Sequence, residues 1–176
     1  MNYEITEFIL DRISSFIDKK NVTVKTENTD WRGKTYISDL VILDEENNVG
    51  FEVFDDEITV FYFTAHTHFN KQYYEELELE YSDSIAIEFL IDLFTYPIHY
   101  TKVYKGKKLI NEKYHIETDD YTGMRTIDSA WHGLVNFHNP FAKKVKENFI
   151  WSFNKETKCF EKQAVKQPTQ KKKGVF

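Results

Sequence analysis

The chain has 176 residues, enough for one ordinary domain with a sizeable core, and its 41% hydrophobic and 16% aromatic content is that of a globular protein rich in sheet-forming residues. Only 6 Gly and 3 Pro exclude the collagenous and low-complexity classes, and the single cysteine, Cys159, excludes an internal disulfide framework and fits a reducing compartment. The net charge of −6 is unevenly divided: residues 1–100 carry 21 acids against 7 bases, and residues 101–176 carry 8 acids against 16 bases, so the first part repels nucleic acid and can steer a basic partner.

Met1–Lys20 opens with acids rather than a basic segment, and no small-residue cleavage site follows. Within it Ile5, Phe8, Ile9, Ile13, Phe16 and Ile17 recur at the spacing of one helical face, which predicts an amphipathic helix over 4–20. Glu4 and Glu7 in its first turn and Lys19 and Lys20 in its last suit the helix dipole, and Asn21 is a reasonable stop. "VTVKTEN" (22–28) reads as a short strand and "TDWRGKT" (29–35) as a turn. The runs 36–44, 49–55 and 57–69 read as further strands, and the short links at 45–48 and Asp55-Asp56 imply an antiparallel meander.

"YYEELELEYSD" (73–83) alternates Leu77, Leu79 and Tyr81 with Glu76, Glu78 and Glu80 at strand spacing, while its length and Glu content equally suit a helical lead-in. "SIAIEFLIDLF" (84–94) is a helix apolar almost all round, with Glu88 and Asp92 as its only wet edge, so it belongs in the core, and Pro97 ends it. The same run is the longest near-apolar stretch and is too short to span a bilayer, so a soluble, cytoplasmic protein is expected. Residues 99–117 read as a hairpin turning near Lys105-Gly106-Lys107, 118–123 as a loop, and 146–165 as a last hairpin turning at Asn154–Thr157. Residues 124–145, broken by Gly133, Asn139 and Pro140, show no readable period. The fold class is α+β: a single domain over 1–165, an antiparallel meander sheet packed against an N-terminal amphipathic helix and a buried central helix. Residues 166–176 form a polar, Lys-rich tail, mobile or ordered only by packing.

"FTAHTHF" (63–69) places His66 and His68 at strand spacing, so both side chains share a face. On the 57–69 strand that face carries Ile58, Val60, Tyr62 and Thr64 as well and turns polar at its end, while the opposite face stays apolar through Phe69. His-x-His on a strand is a metal-ligand arrangement, but a site needs a third donor, and His99, His115, His132 and His138 have no spacing that predicts convergence. Histidines at a strand's end are the competing and simpler account. No cofactor is expected. "WRGKT" (31–35) lacks the earlier glycine of a phosphate loop, since position 28 is Asn28, and no G-x-S-x-G elbow exists. Cys159, beside Phe160, reads as a buried, inert thiol. Lys171–Lys173 can touch phosphates, but a pI near 5.5 and the lack of a binding motif argue against nucleic acid.

What remains is the acidic stretch around Tyr73 and Tyr74, with Glu75, Glu76, Glu78, Glu80 and Asp83. Rings supply contact area and carboxylates supply speed and discrimination, so these residues are the candidate surface for a basic protein partner; a solvated flank of the following helix is the plain alternative. The acidity, the amphipathic first helix, the meander, the hairpin "VYKGKKLINEKY" (103–114) and the lack of a catalytic motif together resemble small bacterial immunity proteins of toxin–immunity systems. That resemblance implies a cytosolic, non-enzymatic protein that binds one cognate toxin domain and blocks it. Two other readings stand beside it: a metal-dependent hydrolase using His66 and His68, and a homodimeric structural or regulatory module joined through an edge strand or aromatic patch.

Overall fold

The computed structural model describes residues 2–31, 33–54, 57–70, 82–117, 124–131 and 143–165. Helix α1 (Asn2–Arg12) buries Thr6, Ile9 and Leu10. It is shorter than its apolar spacing predicts. Ile13 N–H still donates to the Ile9 carbonyl at 3.1 Å, but Ser14 and Phe16 donate only three residues back, to Asp11 and Ile13. The chain tightens there because Ser14 and Ser15 offer the backbone no helical advantage. Phe16 still reaches the core and stacks on Phe94 at 5.3 Å. Phe8 does not: it points outward, 52% exposed, on the arc that also carries Glu4 and Asp11.

The first sheet is a meander in chain order. Strands β1 (Thr23–Trp31) and β2 (Lys34–Asp44) pair from Thr23 opposite Ile42 to Trp31 opposite Lys34. Most of the 29–35 stretch is therefore strand rather than turn, and the reversal is confined to the tip, where Gly33 takes a φ of 77°. Strand β3 (Val49–Val53) pairs with β2 only from Asp39 onward, so the far half of the β1–β2 hairpin projects as a two-stranded ribbon. At Gly50 an added Cβ would lie 2.1 Å from the Val41 carbonyl oxygen and 2.5 Å from the Phe61 ring, so only glycine fits beneath that ring.

The run 57–69 is not one strand. It folds into a hairpin, β4 (Glu57–Tyr62) and β5 (Ala65–Asn70), with Phe63 and Thr64 at the turn and Tyr62 opposite Ala65. The turn shifts the alternation. Ile58, Val60 and Tyr62 share the core face with Ala65 and Phe69, whereas His66 and His68 stand opposite Phe61 and Thr59 on the other face. The two histidines do share a face, but not with Ile58, Val60 and Tyr62. No Gly, Asn or Pro announces this turn. It is held instead by contacts made elsewhere in the chain. Phe63, at a φ of 55°, donates its N–H to the Asn47 carbonyl at 3.2 Å, and Asn48 Nδ2 donates to the Phe63 carbonyl at 2.9 Å. Its ring stacks on Trp151 at 4.1 Å and meets Tyr114 and Phe160 at 5.9 and 5.6 Å. Left-handed backbone costs a residue with a Cβ about 1–2 kcal/mol, and burying a Phe side chain returns about 1.5–3 kcal/mol, so the plug outweighs the strain.

Helix α2 (Ser82–Thr95) lies in the core, with Ala86, Ile87, Leu90, Leu93 and Phe94 buried and Glu88 in solvent. A second five-stranded sheet follows: β6 (Ile98–Lys105), β7 (Lys108–Glu117), β8 (Met124–Trp131), β9 (Lys144–Asn154) and β10 (Cys159–Ala164), in the order β10-β9-β6-β7-β8. Strand β9 returns alongside β6, from Ile98 opposite Trp151 to Lys105 opposite Lys144. The hairpins β6–β7 and β9–β10 fall where the sequence placed them. The class is α+β with antiparallel strands, but the strands form two sheets rather than one. They meet around the β4–β5 turn, where Thr64 Oγ1 and the Tyr114 hydroxyl share a 2.8 Å hydrogen bond, and around Asp44, whose Oδ2 accepts the Phe160 N–H at 3.0 Å. One buried cluster takes in residues of both helices and both sheets.

Candidate functional site

The outer arc of α1 brings together the residue types sought in the acidic stretch. Tyr3 is 68% and Phe8 52% exposed, and Glu4, Glu7 and Asp11 lie within the same arc. At 100° per residue, positions 3, 4, 7, 8 and 11 span less than half a turn, the buried Thr6, Ile9 and Leu10 lie outside that arc, and exposed Arg12 borders it one turn after Phe8. Asp11 is paired with Lys19 at 2.5 Å, both in solvent. Two aromatic rings among three carboxylates, on a helix whose other side is fixed in the core, form a rigid contact surface. Sequence reasoning missed it by assigning Phe8 to the buried stripe. The available signal was that its neighbours one turn away, Glu4 and Asp11, are both charged.

Tyr73, Tyr74, Glu75, Glu76, Glu78 and Glu80 lie outside the described residues. Asp83 is the second residue of α2.

His66 and His68 sit together on the solvent side of β5, ring centroids 4.9 Å apart and nearly perpendicular. His68 Nδ1 bonds Glu57 Oε1 at 2.6 Å and lies 3.0 Å from Thr59 Oγ1, and Asn70 Nδ2 donates to Glu57 Oε2 at 3.4 Å. Burial pushes the Glu57 carboxyl up, but the bonds from His68, Asn70 and Thr59 and the charge attraction of His68 outweigh it, and the carboxyl titrates below its ordinary range. Glu57 is thus the shared acceptor of the cluster, bonded by Thr59 on its own strand and by His68 and Asn70 across the pair. Among the described residues no group of three or more His, Cys, Asp or Glu side chains could hold a metal ion.

A second histidine pair lies on the outer face of the other sheet. His99 and His115 are directly opposite on β6 and β7, in a shallow groove of about 440 Å³ also lined by Thr101, Asn148, Ile150 and Val165. His99 Nε2 bonds Glu117 at 3.1 Å, and His115 Nδ1 shares a hydrogen bond with Thr126 at 3.0 Å. Burial, Lys113 and His99 hold the His115 ring below its ordinary pKa, which favours the neutral form. This pairing is a consequence of register that spacing alone does not reveal.

Cys159 is exposed, not buried as its neighbour Phe160 suggested. It is the first residue of β10 and alternates outward while Phe160 turns in. Partial burial and the carboxylates of Asp44, Glu46 and Glu161 push its thiol pKa up, away from reactivity. At the far end of the same sheet Lys105, Lys107, Lys108, Lys143 and Lys144 gather where β6 meets β7 and β9, so the charge division of the sequence is also a spatial one. Among the described residues no helix is long and apolar enough to cross a membrane. Comparison of the chain with protein-family models, with curated proteins and with solved structures finds no match.

Proposed function

We propose that this chain is a non-enzymatic protein-binding module, a cytosolic protein of the immunity type that neutralises a toxin domain by covering a basic surface. The observation that carries this reading is the outer face of α1: Tyr3 and Phe8 in solvent beside Glu4, Glu7 and Asp11. Exposed rings on a helix whose opposite face is locked into the core can bury area on a partner with little ordering cost. The surrounding acids favour a basic partner and raise the rate of encounter. Residues 1–70, which hold α1 and the first sheet, carry 14 acids against 6 bases, so the field around this face has the same sign. Tyr73, Tyr74, Glu75, Glu76, Glu78, Glu80 and Asp83 are proposed to extend the contact.

The test is co-expression with the product of the adjacent gene, followed by calorimetric titration. A basic toxin-like domain is expected to bind one to one. Phe8→Ser is expected to weaken binding by about tenfold or more while leaving the thermal midpoint close to that of the wild type, because the ring is already in water. Two results together would sink the proposal: an affinity unchanged by Phe8→Ser with Tyr3→Ser, and one unchanged when Glu75, Glu76, Glu78, Glu80 and Asp83 are neutralised.

A further inference from the structure

Strand β1 is an edge strand with unusually little protection. It is nine residues long and pairs with β2 at every one of them, without a bulge or a proline. Among the described residues no strand lies along its other side, and Thr23–Asn28 are all exposed. An edge of this kind is a template for another strand unless something blunts it. The usual blunting device is a charge, and β1 carries Lys25 in mid-strand, with Glu27 two residues on and on the same face.

We propose that two copies of this chain join through these edges, antiparallel about a twofold axis at Thr26, so that the two meanders become one continuous sheet. The charges choose the register. A twofold axis normal to the sheet keeps each face on its own side, so residues equally spaced about the axis meet. An axis at Lys25 sets that lysine against its own copy, and an axis at Glu27 does the same for the glutamate. Both are like-charge contacts and cost stability. An axis at Thr26 places Lys25 opposite the second copy's Glu27, and Glu27 opposite its Lys25. Val24 then meets Asn28 and Thr23 meets Thr29. The lysine that would repel an unrelated strand becomes the residue that selects this one. The contact is made by the β1 backbone edge and not by the α1 rings, so the inference does not rest on the proposed function.

Sedimentation velocity on the full chain, from low micromolar to several hundred micromolar, is the experiment. A reversible dimer is expected. Lys25→Glu and Glu27→Lys place like charges opposite each other twice per dimer, and each is expected to raise the dissociation constant about tenfold or more. The double reversal, Lys25→Glu with Glu27→Lys, restores two opposite-charge pairs and is expected to bring the dimer back. Circular dichroism of all three variants should match the wild type, since both positions are in solvent. A wild type that stays monomeric throughout overturns the inference, including when an added basic peptide occupies the edge instead. So does a dimer indifferent to the single reversals, or one that the double reversal fails to restore.

Discussion

Glu57 shows how neighbours on a sheet can hold a half-buried carboxylate charged. Three donors from β4 and β5 converge on it, and their pull exceeds the cost of partial burial. Its folded-state pKa lies below the ordinary value of about 4.3, so its contribution to stability is in place above that pH and is lost as the pH falls through the depressed value. Glu57→Gln should therefore lower stability most near pH 6 and least near pH 3, which flattens the acid limb of a stability–pH profile read by urea denaturation over that range. Asn70 would keep an acceptor in that variant, while the ion pair with His68 would be gone. That His66 and His68 share a face was legible from their spacing. What that face holds was not, because it depends on a turn that switches which residues of β4 stand beside them.

The β4–β5 hairpin is the element on which the two sheets are keyed. Its tip residue pays for a left-handed backbone with a socket of Trp151, Tyr114 and Phe160. Phe63→Ala should cost about 3–5 kcal/mol, the usual penalty for emptying an aromatic site in a core. Phe63→Gly empties the same socket but relieves the strained φ, so it should be more stable than the alanine variant by about 1 kcal/mol. At an ordinary position glycine would be the worse of the two, and the order of the two urea midpoints tests whether the backbone strain is real. Elements whose signals are local were readable in advance. The hairpin β6–β7 turns on Gly106, β9–β10 turns just past Asn154, and α2 is apolar on nearly every side. Those that failed were set by distant partners. Phe63 turns because a socket waits in the second sheet, α1 stops early although Phe16 keeps to the apolar pattern, and β8 sits in a stretch whose periodicity is broken.

At the scale of the molecule, the two sheets depend on each other through a small set of buried polar contacts. Asp44, 8% exposed, accepts hydrogen bonds from the Phe160 N–H at 3.0 Å, from Asn47 Nδ2 at 2.9 Å and from the Asn47 N–H at 3.1 Å. Asn47 Nδ2 in turn donates to the Phe160 carbonyl at 3.1 Å. Asp44→Ala leaves the buried Phe160 N–H and the half-buried Asn47 N–H without an acceptor and should lower stability by about 2–4 kcal/mol. Because the core is continuous across both sheets, the loss should appear as one shifted urea transition of unchanged slope, coincident by tryptophan fluorescence and circular dichroism. Two resolved transitions would show that the sheets unfold separately. That there are two sheets was the least legible feature of all, since strand spacing and link length report neighbours along the chain and not which edge a later strand will join. The bond between Asp44 and Phe160 spans 116 residues. On a translating ribosome, at roughly 5–20 residues per second, Asp44 would leave the exit tunnel some 6–23 s before the Phe160 amide it accepts from. During that interval Asp44 and the Phe63 ring would be open to water and to passing chaperones, so the first half of this protein must wait for the second before it becomes the structure described here.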